Sequence, residues 1–245
     1  MIHQLYKQLG ETPLMVIDRL RKEGVLTADE PATYAGRLDP MAEGLLIILS
    51  GEDRFKKEAW NGLPKTYKAV CLFGVSTDSG DLLGIPEHID AVLPLPASVE
   101  EKMKSSVGTF TQSYHSFSSK PVDGKPLFAY ALEGEEPSRV PEHEVTLFSC
   151  SPGGVHTKKL HELLPDILRR ISTAPDGFRN ELIEDAWKKI EDQEIMLAEF
   201  TLTVSSGFYV RVFVEDLAKQ LGSSACLFSL VRTSIGDCGI EKGDS

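Results

Sequence analysis

Three short stretches of the sequence carry side chains that could do chemistry. The stretch YAGRLDPMAEGLLIILSG places Asp39 between glycines and a proline, two residues after Arg37. The stretch KTYK contains Tyr67, and the stretch SSGFYVRV contains Arg211. A carboxylate can act as a nucleophile or as a base, and a neighbouring arginine keeps it ionised and fixes its direction. These residue types would suit covalent or acid–base catalysis.

Each stretch also has a simpler structural interpretation. Asp39-Pro40 is the usual pairing of a helix cap with a first helical residue, and the dipeptide alone favours that interpretation. Tyr67 could be a strand aromatic packed in the core. Arg211 could be a solvated charge at a bend, and Leu230 could belong only to the core. Taken singly, each stretch favours its structural interpretation.

Apolar patterns predict the elements that must position these side chains. A helix should follow the cap Thr12, with Leu14, Ile17 and Leu20 on its buried face and Gly24 at its end. Strands are expected at residues 45–49, 65–74, 144–150 and 200–204, and helices at 99–107, 127–132, 160–171, 178–190 (capped by Asp176) and 210–222.

The order of these elements predicts the fold class. Strands separated by irregular loops and helices, without a regular βαβ rhythm, indicate an α+β fold with a mixed or antiparallel central sheet flanked by helices and loops. The sequence contains no Gly-x-Gly-x-x-Gly and no Walker loop, so it gives no support for nucleotide cofactor binding.

Composition limits the class of protein. Of the 245 residues, 41% are hydrophobic and 26% are charged, as in ordinary globular domains. The longest aliphatic run, residues 45–49, is far shorter than the ~20 residues of a membrane span, and the N-terminus lacks the order of a signal peptide. The histidines show no metal-ligand spacing. We therefore expect a cytoplasmic protein, without membrane or metal, whose separated cysteines are reduced: Cys71, Cys150, Cys226 and Cys238.

Four motifs in a fixed order resemble the TruB family of tRNA pseudouridine synthases. They are GRLDPMAEGLLIILSG, KTYKAVCLFGVSTDSGDLLG, YHSFSSKPVDGKPLFAYALEGE and SSGFYVRVFVEDLAKQLGSSACLFSLVRTSIG, and LYKQLGETP is similar to the family's opening motif. The resemblance covers roughly residues 5–240 and is weakest at 151–195. It implies the pseudouridine synthase fold and the isomerisation of a uridine in the tRNA T-loop, at position 55, to pseudouridine.

The resemblance also implies roles for individual residues. Asp39 matches the catalytic aspartate and Arg211 the arginine that pairs with it. Tyr67 matches the tyrosine that stacks on the target base. Tyr209 matches a nearby substrate contact, and Leu230 an apolar wall of the base pocket.

Two positions depart from the family pattern. Tyr34 stands where family members often have a histidine that helps to hold the flipped-out nucleotide. Arg37 stands where a small residue is common, and it could reach a phosphate or occupy part of the groove. Lys120, the lysine of the third motif, is a further candidate substrate contact.

The reaction implied by the resemblance explains why no cofactor or metal is expected. It breaks a C–N glycosidic bond and forms a C–C bond, with no net redox change and no group supplied from outside. The target uridine must leave its stack, so an aromatic face and an apolar wall should receive it.

The expected partner is the T-arm stem-loop of tRNA, bound by a monomer. A net charge of −11 argues against a generally basic surface, because phosphate binding draws on lysine and arginine, but a local basic groove on an acidic body is compatible with it. The lysines that would form this groove lie in or beside the motif loops: Lys56, Lys57, Lys65, Lys68, Lys120 and Lys125.

We expect residues 1–245 to form one catalytic domain with a helical insertion at about 157–193 and no C-terminal PUA domain. Two other functions stay open. One is a non-catalytic RNA-binding or RNA-folding module on the same fold, against which the intact Asp39, Tyr67 and Arg211 argue. The other is an rRNA-directed synthase that depends on a guide RNA, against which the missing PUA segment argues.

Overall fold

The computed structural model describes residues 1–240, and its strands fall into one large sheet and two small hairpins. In chain order the strands are β1 (Ile2–Lys7), β2 (Ala32–Ala35), β3 (Ala42–Ser50), β4 (Lys65–Phe73), β5 (Val75–Thr77), β6 (Pro86–Ile89), β7 (Gly108–Ser113), β8 (Pro121–Val122), β9 (Lys125–Pro126), β10 (Glu142–Lys159), β11 (Glu194–Val204), β12 (Ala225–Ile235) and β13 (Cys238–Gly239).

Over the same residues the chain forms seven α-helices and one short 3₁₀ helix, Gly51–Lys56. The α-helices are α1 (Pro13–Lys22), α2 (Lys57–Gly62), α3 (Pro96–Ser105), α4 (Leu127–Glu133), α5 (Leu160–Ser172), α6 (Asn180–Lys188) and α7 (Val210–Gln220). No helix among residues 1–240 is long and apolar enough to cross a membrane.

The large sheet is mixed. Its strands run in the order β1-β3-β12-β4-β11-β10-β7, with β2 paired to β3 and β13 paired to β12. Strand β12 lies parallel to β3, whereas the other neighbours pair antiparallel. The predicted α+β fold with a mixed central sheet is therefore confirmed. The small hairpins are β5–β6 and β8–β9.

The aliphatic run in β3 is explained by burial on both faces. Leu46 and Ile48 pack in a cluster with residues of α1, whereas Leu45, Ile47 and Leu49 pack in a second cluster on the other face. A strand covered on both sides reads as a continuous apolar run, and here it provides a rigid base for the loop before it.

The first helix forms as predicted, but its buried face differs. The Thr12 hydroxyl accepts a hydrogen bond from the Met15 N–H at 3.2 Å and caps α1. Leu14 is 63% exposed, so its predicted place on the buried face is wrong. The buried stripe is centred on Val16, Ile17 and Leu20.

The helical segment after β10 packs onto the main core. The buried residues of α5 and α6, among them Ile167, Ile183 and Trp187, belong to the same cluster as the centre of the sheet. The strand predicted at 144–150 runs on to Lys159 as β10. The predicted Asp176 cap is wrong, because α6 begins at Asn180 and Arg179 occupies the N-cap position in a left-handed conformation.

Candidate active site

Asp39 lies in a tight turn between β2 and β3. The Ala42 N–H donates to the Asp39 carbonyl at 3.0 Å, and the Gly10 N–H donates to the Pro40 carbonyl at 2.9 Å. A strand, β3, follows this turn, so the helix-cap interpretation of Asp39-Pro40 is wrong. Because the Asp39 side chain caps no helix and is 40% exposed, it is available for other contacts.

Arg211 is the direct partner of this carboxylate. It lies in the first turn of α7, 7% exposed, and its Nη2 atom donates to Asp39 Oδ2 at 2.9 Å. Its Nη1 atom donates to the Ser79 carbonyl at 2.6 Å, and Nη2 also reaches the Phe117 carbonyl at 3.4 Å. Two backbone carbonyls therefore fix the direction in which the guanidinium faces Asp39.

The charges around Arg211 keep it protonated. Burial lowers its pKa, but the carboxylates of Asp39, Asp81 and Glu215 outweigh burial, so its pKa is raised above the ordinary arginine value. This permanent cation faces the Asp39 carboxylate across a 2.9 Å hydrogen bond. The pair can therefore supply a carboxylate of fixed orientation to a reacting group.

Asp81 is a second carboxylate behind the arginine, and sequence reasoning missed it. Its Oδ2 atom lies 3.8 Å from Arg211 Nε, while its Oδ1 atom accepts from the Ser79 hydroxyl and the Leu83 N–H, both at 2.9 Å. Burial raises the pKa of Asp81, and Arg211 opposes this rise. The residue types of STDSGDLLG predict only a turn. The second aspartate in this glycine-rich turn is the signal that could have identified Asp81.

Two fully buried cations hold the backbone of the Asp39 turn, and sequence reasoning missed both. Arg232 donates to the carbonyls of Leu45, Gly36 and Arg37 at 2.7, 3.0 and 3.3 Å. Lys7 donates to the Ala42 carbonyl at 2.5 Å, and burial lowers its pKa to about 8. The available signal was their position inside motifs, LYKQLGETP and SLVRT.

The Asp39–Arg211 pair opens into a cavity of about 690 Å³. This volume is within the usual range for small-ligand pockets, ~300–1,000 Å³. Tyr67 on β4 and Leu230 on β12 line it, and both strands are neighbours in the sheet. Tyr67 is 8% exposed and also belongs to the main core, so its core and cavity interpretations both hold.

Tyr209 lines the same cavity at the start of α7. The Gln112 side chain clamps its backbone: Oε1 accepts from the Tyr209 N–H at 3.0 Å and Nε2 donates to its carbonyl at 3.2 Å. Burial, followed by the charge of Asp39, raises the pKa of the Tyr209 hydroxyl. It therefore stays protonated near neutral pH and can donate a hydrogen bond.

Of the three remaining candidate residues, one lines the cavity and two do not. Arg37 lines the cavity, half exposed, with its Nε atom 4.0 Å from Asp39 Oδ1. Tyr34 packs beside α1 with Lys57 Nζ 5.4 Å from its ring centre, and it is not among the cavity residues. Lys120 is half-buried and lies outside the cavity, with its Nζ atom 4.8 Å from the ring centre of Tyr114.

Sequence reasoning also missed three residues of the cavity wall. Phe117 comes from the loop before β8, and Phe178 and Arg179 come from the turn between α5 and α6.

Among residues 1–240, no group of three or more His, Cys, Asp or Glu side chains is arranged to hold a metal ion.

The chain is similar to a family model and to named relatives. A family model described as TruB family pseudouridylate synthase, N terminal domain, matches residues 26–162, more than half of the chain. The tRNA pseudouridine synthase 4 of Saccharomyces cerevisiae is 31% identical over 253 residues, covering 86% of this chain and 62% of the relative. The tRNA pseudouridine synthase B of Bordetella avium is 30% identical over 216 residues, covering 86% of this chain and 72% of the relative.

A solved structure shares the fold. It is described as an H/ACA RNP bound to a substrate RNA containing 2'-deoxyuridine, and it matches 98% of this chain and 49% of the solved chain with a TM-score of 0.56 and 16% identity. At that identity the likeness shows the fold alone. The present chain thus spans about three fifths of the yeast relative and about half of the solved chain.

Proposed function

Because the chain belongs to the TruB family of pseudouridylate synthases, we propose that it isomerises a uridine in the T-loop of tRNA, at position 55, to pseudouridine. Its named relatives from yeast and Bordetella avium are tRNA pseudouridine synthases. The substrate would be the T-arm stem-loop.

The observation that carries this proposal is the Asp39–Arg211 pair at a cavity walled by Tyr67 and Leu230. In the reaction the bond between C1′ and N1 of uridine breaks, and C5 of the uracil ring then bonds to C1′. The proton on C5 leaves and N1 gains one, so atoms and electrons balance without a co-reactant. Asp39 would act as nucleophile or base, and Arg211 would hold it in a fixed direction.

The cavity walls suit a base that has left its stack. Tyr67 would provide the aromatic face and Leu230 the apolar wall, while the protonated Tyr209 hydroxyl would contact the nucleotide. Arg37 at the exposed side of Asp39 would meet a phosphate. Because Tyr34 and Lys120 lie outside the cavity wall, their contacts would be with the RNA around the target base.

We also propose that the protein acts in the cytoplasm as a monomer without cofactor or metal. The part of the chain described above would suffice for catalysis, with the helices of the 157–193 segment as an insertion in one catalytic domain.

The test uses 5-tritiated uridine in two RNAs, unmodified full-length tRNA and an isolated T-arm hairpin. Both should release tritium at similar rates, and a hairpin with cytidine at position 55 should release none from that site. Binding should weaken steeply with added salt despite the net charge of −11, because the contacts are phosphate–cation pairs.

Other outcomes would contradict parts of the proposal. Tight binding without tritium release from either RNA would favour the non-catalytic RNA-binding module. Release only from an rRNA fragment paired with a guide RNA, assayed as a third substrate, would favour the guide-dependent synthase. A reactive tRNA with an inert hairpin would show that another surface reads the rest of the tRNA.

A further inference from the structure

The turn between α5 and α6 brings an arginine to the cavity from the helical segment. Gly177, Phe178 and Arg179 in this turn line the cavity. Arg179 adopts φ 60° and ψ 27°, a left-handed conformation that is uncommon for residues other than glycine, asparagine and aspartate. Surrounding contacts must therefore hold Arg179 in this conformation.

Those contacts join Arg179 to two other segments. Its Nη1 atom donates to Asp78 Oδ2 at 2.8 Å and its Nη2 atom reaches Asp78 Oδ1 at 3.4 Å, so the pair is bidentate. The guanidinium also lies over the Phe117 ring, 5.0 Å from its centre. The Arg179 and Asp78 side chains are only 25% and 19% exposed, so solvent screens this pair less than a surface pair.

The same two segments orient the arginine of the active site. Arg211 donates to the carbonyl of Ser79, the residue after Asp78, and to the carbonyl of Phe117 itself. Arg179 thus touches both segments whose carbonyls aim Arg211 at Asp39.

We propose that Arg179 is a positioning residue: it ties Asp78 to Phe117, and this tie fixes the direction of Arg211 and thereby of Asp39. The activity readout of this inference rests on the proposed function. A second readout, measured without RNA, does not depend on that function. A direct contact between Arg179 and RNA is the competing explanation that the test must separate.

The kinetic test compares three variants on the T-arm hairpin. Arg179→Asn removes the guanidinium with a residue that tolerates the left-handed conformation, and Arg179→Lys keeps the charge but loses the bidentate fork. Arg169→Asn is the control, because Arg169 lies on α5 and pairs with Asp166 at the surface. Asn should lower the single-turnover rate about 10- to 100-fold, Lys should lower it less, and the control should match the wild type.

The binding constant of each variant separates the two explanations. A positioning role predicts that Arg179→Asn leaves the Kd for the hairpin within about 2-fold of the wild type, because no phosphate contact is lost. A large rise in Kd with an unchanged rate at saturating RNA would overturn the proposal in favour of an RNA contact. An unchanged rate and Kd would overturn it outright.

Hydrogen exchange at the Arg211 guanidinium, followed by NMR without RNA, gives the independent readout. Exchange should be at least about 5-fold faster in Arg179→Asn than in the Arg169→Asn control, because the carbonyls that accept from Arg211 lose their support. Equal exchange in two folded variants would contradict the proposal even if no RNA were a substrate. If the Asn variant did not fold, Arg179→Lys would decide in the same way.

Discussion

The Asp39 turn (residues 36–42) and the arm (residues 120–137) both border the cavity, yet the charged side chains beside them are placed in opposite environments. The cations that hold the turn, Arg232 on β12 and Lys7 on β1, are fully buried and donate to fixed backbone carbonyls. In the arm, Lys125 pairs with two glutamates in contact with water, Glu133 at 2.6 Å and Glu135 at 2.8 Å.

This difference separates two tasks of an active site. Buried cations with carbonyl partners permit little rearrangement, because moving them would leave polar groups unpaired in the interior. Exposed ion pairs and the half-exposed apolar side chains of the arm, Phe128 and Leu132, can rearrange at little cost. We infer that the turn is preorganised for chemistry and that the arm adapts to the shape of the RNA.

The largest effect on stability is expected where a buried cation that holds the turn is removed. Arg232→Met leaves the carbonyls of Leu45, Gly36 and Arg37 without their donor, so the free energy of unfolding should fall by about 3 kcal/mol. Lys125→Met is the matched change in the arm and should leave the urea midpoint unchanged. Equal midpoint shifts in both variants would remove the contrast between the two regions.

The cavity wall next to the turn should respond in a graded way. Tyr67→Phe keeps the aromatic face, so RNA affinity should persist and only turnover should fall, if the hydroxyl moves a proton. Tyr67→Leu loses the stacking face, for which ~1–3 kcal/mol per base is typical, so kcat/KM should fall about 10- to 100-fold. Wild-type rates in both variants would return Tyr67 to a purely structural role.

Stability should depend on pH through Lys7. Its pKa is about 8 in the folded protein, because burial disfavours the ammonium, and 10.5 is the ordinary value. Between these two pH values the unfolded chain binds more protons, so raising the pH stabilises the fold. Relative to Lys7→Met, the wild type should gain about 1–2 kcal/mol from pH 8 to pH 10 in urea titrations. A constant difference over this range would contradict the burial cost assigned to Lys7.

The smallest effect is expected at the arm. Lys120→Gln should weaken RNA binding a few-fold and lower the slope of log K against log salt by about 1, with kcat unchanged. An unchanged salt slope would show that Lys120 makes no phosphate contact.

Much of the frame could be predicted from local sequence patterns. The aliphatic run of β3 and the helix after residue 210 follow from periodicity over a few residues. The error at Leu14 has a geometric cause: positions three apart drift by about 60° around a helix, so Leu14 falls off a stripe centred on Val16, Ile17 and Leu20. Asp176 failed as a cap because the turn ends in a left-handed Arg179 instead.

The candidate site was only partly predictable. Motif resemblance named Asp39, Tyr67 and Arg211, and the structure places all three at one cavity. Arg232 and Arg179, which hold the segments around these residues, bond to partners that are distant in the sequence, such as Leu45 and Asp78. Sheet registry and helix packing bring those partners together, and periodicity over neighbouring residues carries no information about either.

The substitution Asp39→Asn tests the central claim, that Asp39 is the catalytic carboxylate. Asparagine keeps the volume and most hydrogen bonding but removes the charge and the nucleophile. Tritium release from 5-tritiated uridine in the T-arm hairpin is measured beside RNA binding and a melting curve, with the exposed Asp123→Asn as control. We predict no detectable release from Asp39→Asn with unchanged binding and melting temperature. Wild-type release from this variant would contradict the claim.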